Sequence, residues 1–159
     1  MRIALYQPDI PQNTGTILRL AACLAMPVDI IGPTGFDMSE RALRRAALDY
    51  LEYVNIDRHV SFEKFLEAQN FSRNKKLVLL TTHGTIPYFD FEFSSNDTLL
   101  LGRESAGVPK DVHQCVNARI KIPMHHNLRS VNIAVATSMV LGEALRQTQG
   151  FPKSMQKED

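Results

Sequence analysis

Residues 76–82, KLVLLTT, form a nearly continuous apolar run in which polar and apolar side chains do not alternate. A strand of this composition has both faces covered, which is typical of a central strand in a parallel sheet. Parallel strands need long crossover connections, usually helices, so such a strand constrains the whole chain around it. The run therefore predicts an α/β fold with helices on both sides of the sheet.

Strand-like and helix-like patterns alternate along the rest of the sequence. Short apolar runs predict further strands at residues 2–6, 28–32, 53–56, 98–102 and 118–124. Helical patterns lie between them at residues 14–26, 39–52, 61–69 and 109–117. Asn13 is the expected N-cap of the first helix, and residues 87–97 are compatible with either an edge strand or an irregular loop. This order predicts the α/β class, with a mostly parallel sheet flanked by helices.

The length of 159 residues suits a single domain with its own core. We therefore expect one domain over residues 1–159, with a frayed tail from about residue 150. No run approaches the length of a membrane span, and the sequence begins with a strand-like segment instead of a signal peptide. Cys23 and Cys115 form no CxxC motif and lie in apolar helical surroundings, which predicts buried free thiols. These features predict a cytoplasmic protein without membrane contact.

The last helical pattern ends near residue 147 and is apolar nearly all round, which predicts a buried helix. Its start carries Arg129, Ser130 and Asn132, three polar side chains where a hydrophobic element should meet the core. Either Ser130 or Asn132 can cap the helix, whose free N–H groups would also suit an anionic ligand. Gly142 costs about 1 kcal/mol relative to alanine inside a helix, so it predicts the close approach of another backbone.

Three loops follow the predicted strands and carry most of the glycine and polar residues. They are HGTIP at 83–87, GRESAGVP at 102–109 and MHHNLRS at 124–130. Ligands of open α/β sheets bind beyond the carboxyl ends of the strands. The sequence therefore predicts a binding site built from these three loops.

Familiar catalytic motifs are absent from the sequence. GRESAG lacks the lysine and hydroxyl residue of a phosphate loop, and neither GxGxxG nor GxSxG occurs. Its glycines also fit a tight loop that needs two positive-φ residues. His125 and His126 have no accompanying HExxH or Cys/His set, so no metal site is predicted.

A net charge of +1 gives no global argument for a nucleic-acid partner. Locally, a basic patch near the second predicted helix comprises Arg41, Arg44, Arg45, Arg58 and His59. Such a patch is either a solvated helix face or an RNA contact, and the residues alone leave both open.

Three segments together resemble the SPOUT, or α/β-knot, RNA methyltransferases. Asn13-Thr14-Gly15 with Arg19 is similar to the first motif of that family, LLLGRESAGVP to the second, and IPM…RSVNIAVATSMVLGEALRQ to the third. LYQPDIPQNTG, GFDMSERALRRAALDYLE and LTTHGT are most similar to the tRNA (cytidine/uridine-34)-2′-O-methyltransferase subfamily. That subfamily modifies the wobble nucleotide of leucine tRNAs, so the resemblance implies the same activity here.

The resemblance implies a SPOUT fold whose C-terminal stretch passes through the loop around residues 80–101 as a trefoil knot. It also implies S-adenosylmethionine as the cofactor and tRNA as the partner. Members of the family are homodimers with shared active sites, in which the first and last helices pack across the interface. Methyl transfer to a ribose hydroxyl is one in-line displacement, so no metal is required.

By motif position, the resemblance assigns the cofactor contacts to Leu80, Thr81, Gly102, Glu104, Gly107, Ile122, Met124 and Ser130. It assigns catalysis to Arg19, Ser130 and Asn132, with Arg19 supplied by the partner subunit. A guanidinium is always protonated, so we expect Arg19 to stabilise the developing alkoxide or orient the phosphate. The destination of the hydroxyl proton stays open.

Two alternatives remain beside this reading. The same chemistry would serve on another tRNA site or on ribosomal RNA, and a non-catalytic RNA-binding dimer would keep the pocket for structural reasons.

Two positions depart from the family pattern. Arg103 stands where proline or another small residue is common, which bears on RNA contact, and Gly142 replaces a common tyrosine away from the chemistry.

Overall fold

The computed structural model describes residues 1–39 and 48–153. Within these residues, seven strands form one sheet in the order β3-β2-β1-β6-β4-β7-β5, and every neighbouring pair is parallel. The strands are β1 (Arg2–Tyr6), β2 (Val28–Ile31), β3 (Ile56–His59), β4 (Leu77–Leu80), β5 (Ile86–Pro87), β6 (Thr98–Leu101) and β7 (Ala118–Lys121). The α-helices are α1 (Pro11–Cys23), α2 (Phe62–Gln69), α3 (Lys110–Cys115) and α4 (Ile133–Thr148).

Most predicted elements occur where the sequence indicated, and the predicted α/β class is confirmed. The main shift is β3, which runs from Ile56 to His59 instead of over residues 53–56, because a 3-10 helix over residues 48–53 includes Tyr53. Residues 87–97 combine both expectations, since Pro87 ends the short edge strand β5 and residues 88–90 form a 3-10 turn. Asn13 is not the N-cap of α1, because Pro11 already starts the helix and Ile10 holds the cap position.

The sheet is covered on both faces, as the uninterrupted apolar strands predicted. In β1, Ile3 and Leu5 belong to one buried cluster, whereas Ala4 and Tyr6 belong to the other. The strands β4 and β6 divide their side chains between the same two clusters. Because alternate side chains of a strand point to opposite faces, each strand contributes to two cores at once.

The helix α4 is buried on one side only, which corrects the prediction of burial all round. Its small and apolar residues Ala134, Val140, Leu141 and Ala144 are buried in the core. On the opposite side, Val135 is 49% exposed and Met139 is 39% exposed, and Val131 just before the helix is 37% exposed. These three residues, spaced four apart, form an exposed apolar stripe.

Gly142 does not meet another backbone within this chain. A Cβ built at this position would find no atom within 4 Å among the described residues. The predicted close approach is therefore wrong for the single chain, because the neighbouring side chains leave open space beside the helix.

The two cysteines are free but exposed, so the prediction of buried thiols is wrong. Cys23 is the last residue of α1 and Cys115 is the last residue of α3, and both helices end at the protein surface. Among the described residues, no helix has the length and apolar character that a membrane crossing would require.

A buried polar cluster ties three strands to α2. Asp29 of β2 is fully buried and accepts hydrogen bonds from Arg2 Nε at 2.8 Å and Gln69 Nε2 at 2.9 Å. His59 Nε2 lies 2.7 Å from Asp29 Oδ1, the same oxygen that accepts the hydrogen bond from Gln69. A buried carboxylate is tolerated only when such partners replace its hydration, so these contacts fix the register of β1, β2 and β3.

We predict that Asp29→Ala lowers the free energy of unfolding by about 3–5 kcal/mol, because Arg2, Gln69 and His59 would all lose their shared buried partner. Urea denaturation measures this change. Asp57→Ala is the matched control, since Asp57 also binds Arg2 but its side chain is 48% exposed, and its loss should cost below about 1 kcal/mol. Equal losses in the two variants would contradict the assigned role of Asp29.

Candidate active site

A cleft of about 480 Å³ opens at the carboxyl ends of three neighbouring strands, β6, β4 and β7. Its walls come from the segments after these strands, at residues 79–82, 101–108 and 122–133. The sequence predicted a site from the loops 83–87, 102–109 and 124–130. The last two contribute to this cleft, but residues 79–82 line it in place of residues 83–87. The volume falls within the range of small-molecule pockets.

Every residue to which the resemblance assigned a cofactor contact lines this cleft. These residues are Leu80, Thr81, Gly102, Glu104, Gly107, Ile122, Met124 and Ser130. Asn132 of the expected catalytic set lines it as well. The cleft therefore combines apolar walls with polar side chains and backbone groups of two glycines.

Close backbone packing shapes the cleft at two glycines. A Cβ at Gly102 would lie 2.7 Å from the carbonyl carbon of Gly107, and a Cβ at Gly84 would lie 2.4 Å from that of Ile120. The expectation of two positive-φ glycines is half right, since Gly107 has φ 66° but Gly102 is required by close approach instead. Paired backbone hydrogen bonds between Arg103 and Gly107 close this tight loop.

Asn132, and not Ser130, caps α4. Its Oδ1 accepts hydrogen bonds from the N–H groups of Ala134 at 2.9 Å and Val135 at 3.4 Å. Its Nδ2 donates to Asn13 Oδ1 at 3.0 Å. The start of the last helix is thereby joined to the first turn of α1, and Asn13 serves the cleft instead of capping its own helix.

A pair of carboxyl groups borders the cleft. The N–H of Glu104 donates to Asp9 Oδ1 at 3.1 Å, and the N–H of Asp9 donates to Glu104 Oε2 at 3.4 Å. Burial and the hydrogen bond to Asp9 raise the pKa of Glu104, while Asn13 acts in the opposite direction through a hydrogen bond. The pKa of Asp9 falls to about 2, because its carboxylate accepts hydrogen bonds from Glu104 and Ser105. Asp9 was missed by the sequence reasoning, since one acidic residue before Ile10-Pro11 gives no signal of its partner.

Arg103 lines the cleft and extends towards β1. Its Nη2 donates a hydrogen bond to Gln7 Oε1, and Gln7 itself has φ 44°. The Nε of Arg103 is buried and has no hydrogen-bond partner among the described residues. The departure from the family pattern at this position thus places a guanidinium in the wall of the cleft.

The remaining predicted residues lie elsewhere. Arg19 is exposed on α1 and does not line the cleft of its own chain, because its guanidinium stacks 4.7 Å from the ring centre of Tyr50. Arg41, Arg44 and Arg45 lie outside the described residues. In the part of the chain that the structure describes, no group of three or more His, Cys, Asp or Glu side chains is placed to hold a metal.

Comparison with known proteins identifies a family and several relatives. The model of the SpoU rRNA Methylase family matches residues 1–142. A protein of Beijerinckia indica named tRNA (cytidine(34)-2′-O)-methyltransferase is 54% identical over 96% of this chain and 95% of its own length.

Solved structures agree with this match. One, described as giving structural insights into the 2-OH methylation of C/U34 on tRNA, is 40% identical with a TM-score of 0.86, covering 94% of this chain and 96% of that one. Another is the SpoU methyltransferase AviRb from Streptomyces viridochromogenes in complex with the cofactor AdoMet. It is 28% identical with a TM-score of 0.82, covering 92% of this chain and 60% of that one.

We predict that Gly102→Ala weakens S-adenosylmethionine binding by at least about tenfold, because the added Cβ would push apart the loop that closes against Gly107. Isothermal calorimetry measures the affinity. Gly142→Ala is the control, since its Cβ meets open space and should leave binding unchanged while favouring the helix. Unaltered binding in Gly102→Ala would show that the loop tolerates expansion.

Proposed function

Because this chain belongs to the SpoU rRNA Methylase family, we propose that it is an S-adenosylmethionine-dependent 2′-O-methyltransferase that acts on the wobble nucleotide 34 of tRNA. The observation that carries this proposal is the coincidence of the three strand-end loops in one cleft with the full-length similarity to tRNA (cytidine(34)-2′-O)-methyltransferases. The leucine isoacceptors are the proposed substrates, on the strength of the subfamily resemblance.

The cleft fits the cofactor in size and chemistry. Leu80, Ile122 and Met124 offer apolar surface for a nucleoside, and the loop that turns at Gly107 lets a ligand approach the backbone closely. S-adenosylmethionine supplies a methyl group on a positively charged sulfur, which needs alignment and not further activation. The protein's task is therefore to orient the ribose hydroxyl and to accept its proton.

Ser130 and Asn132 are the proposed hydrogen-bonding residues at the reaction centre. Both line the cleft at the start of α4, and the capping bonds of Asn132 hold its amide in one orientation. Arg19 is proposed to act in the cleft of a second protomer, where its permanent charge would stabilise the developing alkoxide or the adjacent phosphate. The exposure of Arg19 and its distance from the cleft of its own chain support this arrangement.

A homodimer is proposed to form along the exposed apolar stripe of Val131, Val135 and Met139. Ile10, at the start of α1, is a further apolar side chain that is 39% exposed. The Asn13–Asn132 hydrogen bond brings the first turn of α1 to the start of α4, so both helices can contribute to one interface. Contiguous exposed apolar surface of this kind marks an interaction site.

Three further parts of the proposal rest on the sequence. Arg41, Arg44 and Arg45 are proposed to bind tRNA phosphates, since their spacing gathers positive charge on one short segment. The SPOUT knot is proposed from the resemblance, and the single domain over residues 1–159 is proposed from the chain length. A cytoplasmic location is supported by two free cysteines and by a tRNA substrate.

The proposed function predicts that the protein transfers labelled methyl from S-adenosylmethionine to total tRNA. Nuclease mapping should place the label on the ribose of nucleotide 34, and purified leucine tRNAs should be methylated in preference to other tRNAs. Label at another position or in ribosomal RNA would favour the alternative substrates. No incorporation by the folded protein would support the non-catalytic RNA-binding dimer.

The proposed interface predicts that Val135→Asp converts the dimer into a monomer, because a buried carboxylate without a partner opposes association. Light scattering coupled to size exclusion measures the mass. Val60→Asp is the matched control, since Val60 is 82% exposed outside the stripe and its replacement should leave the mass unchanged. A dimer that persists in Val135→Asp would place the interface elsewhere.

A further inference from the structure

The carboxyl pair of Asp9 and Glu104 is held asymmetrically. Asp9 accepts from the N–H of Glu104 at 3.1 Å and from the hydroxyl of Ser105, so two donors of the loop after β6 stabilise its negative charge. Glu104 accepts a long backbone hydrogen bond, 3.4 Å from the N–H of Asp9, and its other partner is the neutral amide of Asn13. A proton shared between the two groups therefore resides on Glu104.

The amide groups of Asn132 and Asn13 form a series of hydrogen-bond donors that leads to Glu104. The helix N–H groups fix the oxygen of Asn132, so its NH₂ group faces Asn13 and donates to Asn13 Oδ1. The NH₂ group of Asn13 is then the part of this side chain that is free to donate to Glu104. This series of donors ends at the carboxylate of Glu104, which is the hydrogen-bond acceptor in the wall of the cleft.

Asp9 has no room to withdraw from Glu104. A Cβ built at Gly35 would lie 2.8 Å from the Cβ of Asp9, and the N–H of Gly35 donates to the carbonyl of Pro8 at 2.9 Å. The turn at residues 33–35 therefore packs against Asp9 on the side away from Glu104, and it keeps Asp9 next to the loop that carries Glu104.

We propose that Asp9 is a positioning residue that makes Glu104 the acceptor of the ribose hydroxyl proton during methyl transfer. This inference rests on the proposed function. As the hydroxyl oxygen bonds to the methyl carbon, its proton moves to the Glu104 carboxylate, and the electron pair of the breaking C–S bond stays on sulfur. Glu104 then carries a neutral carboxyl hydrogen-bonded to ionised Asp9, and the proton passes to water after the methylated product leaves.

The physical driving force is the relief of like-charge repulsion. When both carboxyl groups are ionised, each disfavours the charge of the other, and one proton on Glu104 converts that repulsion into a charge-assisted hydrogen bond. Among the described residues, the other charged side chains that line the same cleft are Arg103 and Arg129. Arg103 donates to Gln7, so it does not cancel the charge of Asp9 by direct pairing.

The test compares two pH titrations of the same protein. The carboxyl ¹³C signals of labelled glutamate report the ionisation of Glu104, which the Glu104→Gln variant assigns by the loss of its signal. The rate of methyl transfer to tRNA gives the second titration. In the natural protein, we expect the rate to rise with pH at the same midpoint as the Glu104 signal, because only the ionised carboxylate accepts a proton.

Asp9→Asn should move both midpoints to lower pH by about one unit, since it removes the neighbouring negative charge. Asp9→Glu should restore the natural profile because it keeps that charge. Asp90→Asn removes an equal charge at an exposed position outside the cleft and should change neither titration. Glu104→Gln should lower the maximal rate by roughly 100-fold or more.

Two outcomes overturn the inference. A rate midpoint that differs from the Glu104 midpoint in the natural protein would exclude Glu104 as the acceptor, and this comparison needs no Asp9 variant. A Glu104 signal that does not move in folded Asp9→Asn would exclude Asp9 as its positioning residue. A natural protein that methylates no RNA would contradict the proposed function instead, and the titration of Glu104 would still report its coupling to Asp9.

Discussion

The burial of a parallel sheet on both faces is the constraint on which the rest of the structure depends. Alternate side chains of β1, β4 and β6 enter opposite cores, so these strands have no face left for polar chemistry. Polar groups that are not structural must therefore gather at the strand ends. Asp29 of β2 has a structural role and stays inside the sheet, because hydrogen bonds from Arg2 and Gln69 replace its contact with water.

The same constraint explains why much of the fold and cleft could be predicted from the sequence. Apolar runs such as residues 76–82 can be recognised as strands, because a strand buried on both faces lacks the alternation of polar and apolar side chains found in a strand with one exposed face. The carboxyl ends of parallel strands lie at one edge of the sheet, so Leu80, Gly102 and Ile122 could be assigned to the same edge before any geometry was known. The resemblance to the family then assigned cofactor-binding and catalytic roles to residues that the strand pattern had only placed at the same edge of the sheet.

What the sequence did not predict depends on contacts between distant segments. The partnership of Asp9 with Glu104 spans 95 residues, and neither residue carries a local signal of the other. Asn13 has the residue type of a helix cap, yet its side chain binds Asn132 across the cleft. The exposed side of α4 was not predicted for a different reason, because an apolar residue on an exposed helix face has the same sequence pattern as one buried in the core.

The hydrogen bond between Asn13 and Asn132 joins residues 119 positions apart and closes the wall of the cleft. Proteins are synthesised from the N-terminus, and early segments can fold before later ones leave the ribosome. The sheet strands up to β6 are complete by Leu101, but the wall formed by residues 122–133 is made last. A nascent or truncated chain therefore lacks the assembled cleft, and competence for ligand binding arrives in one step near the end of translation.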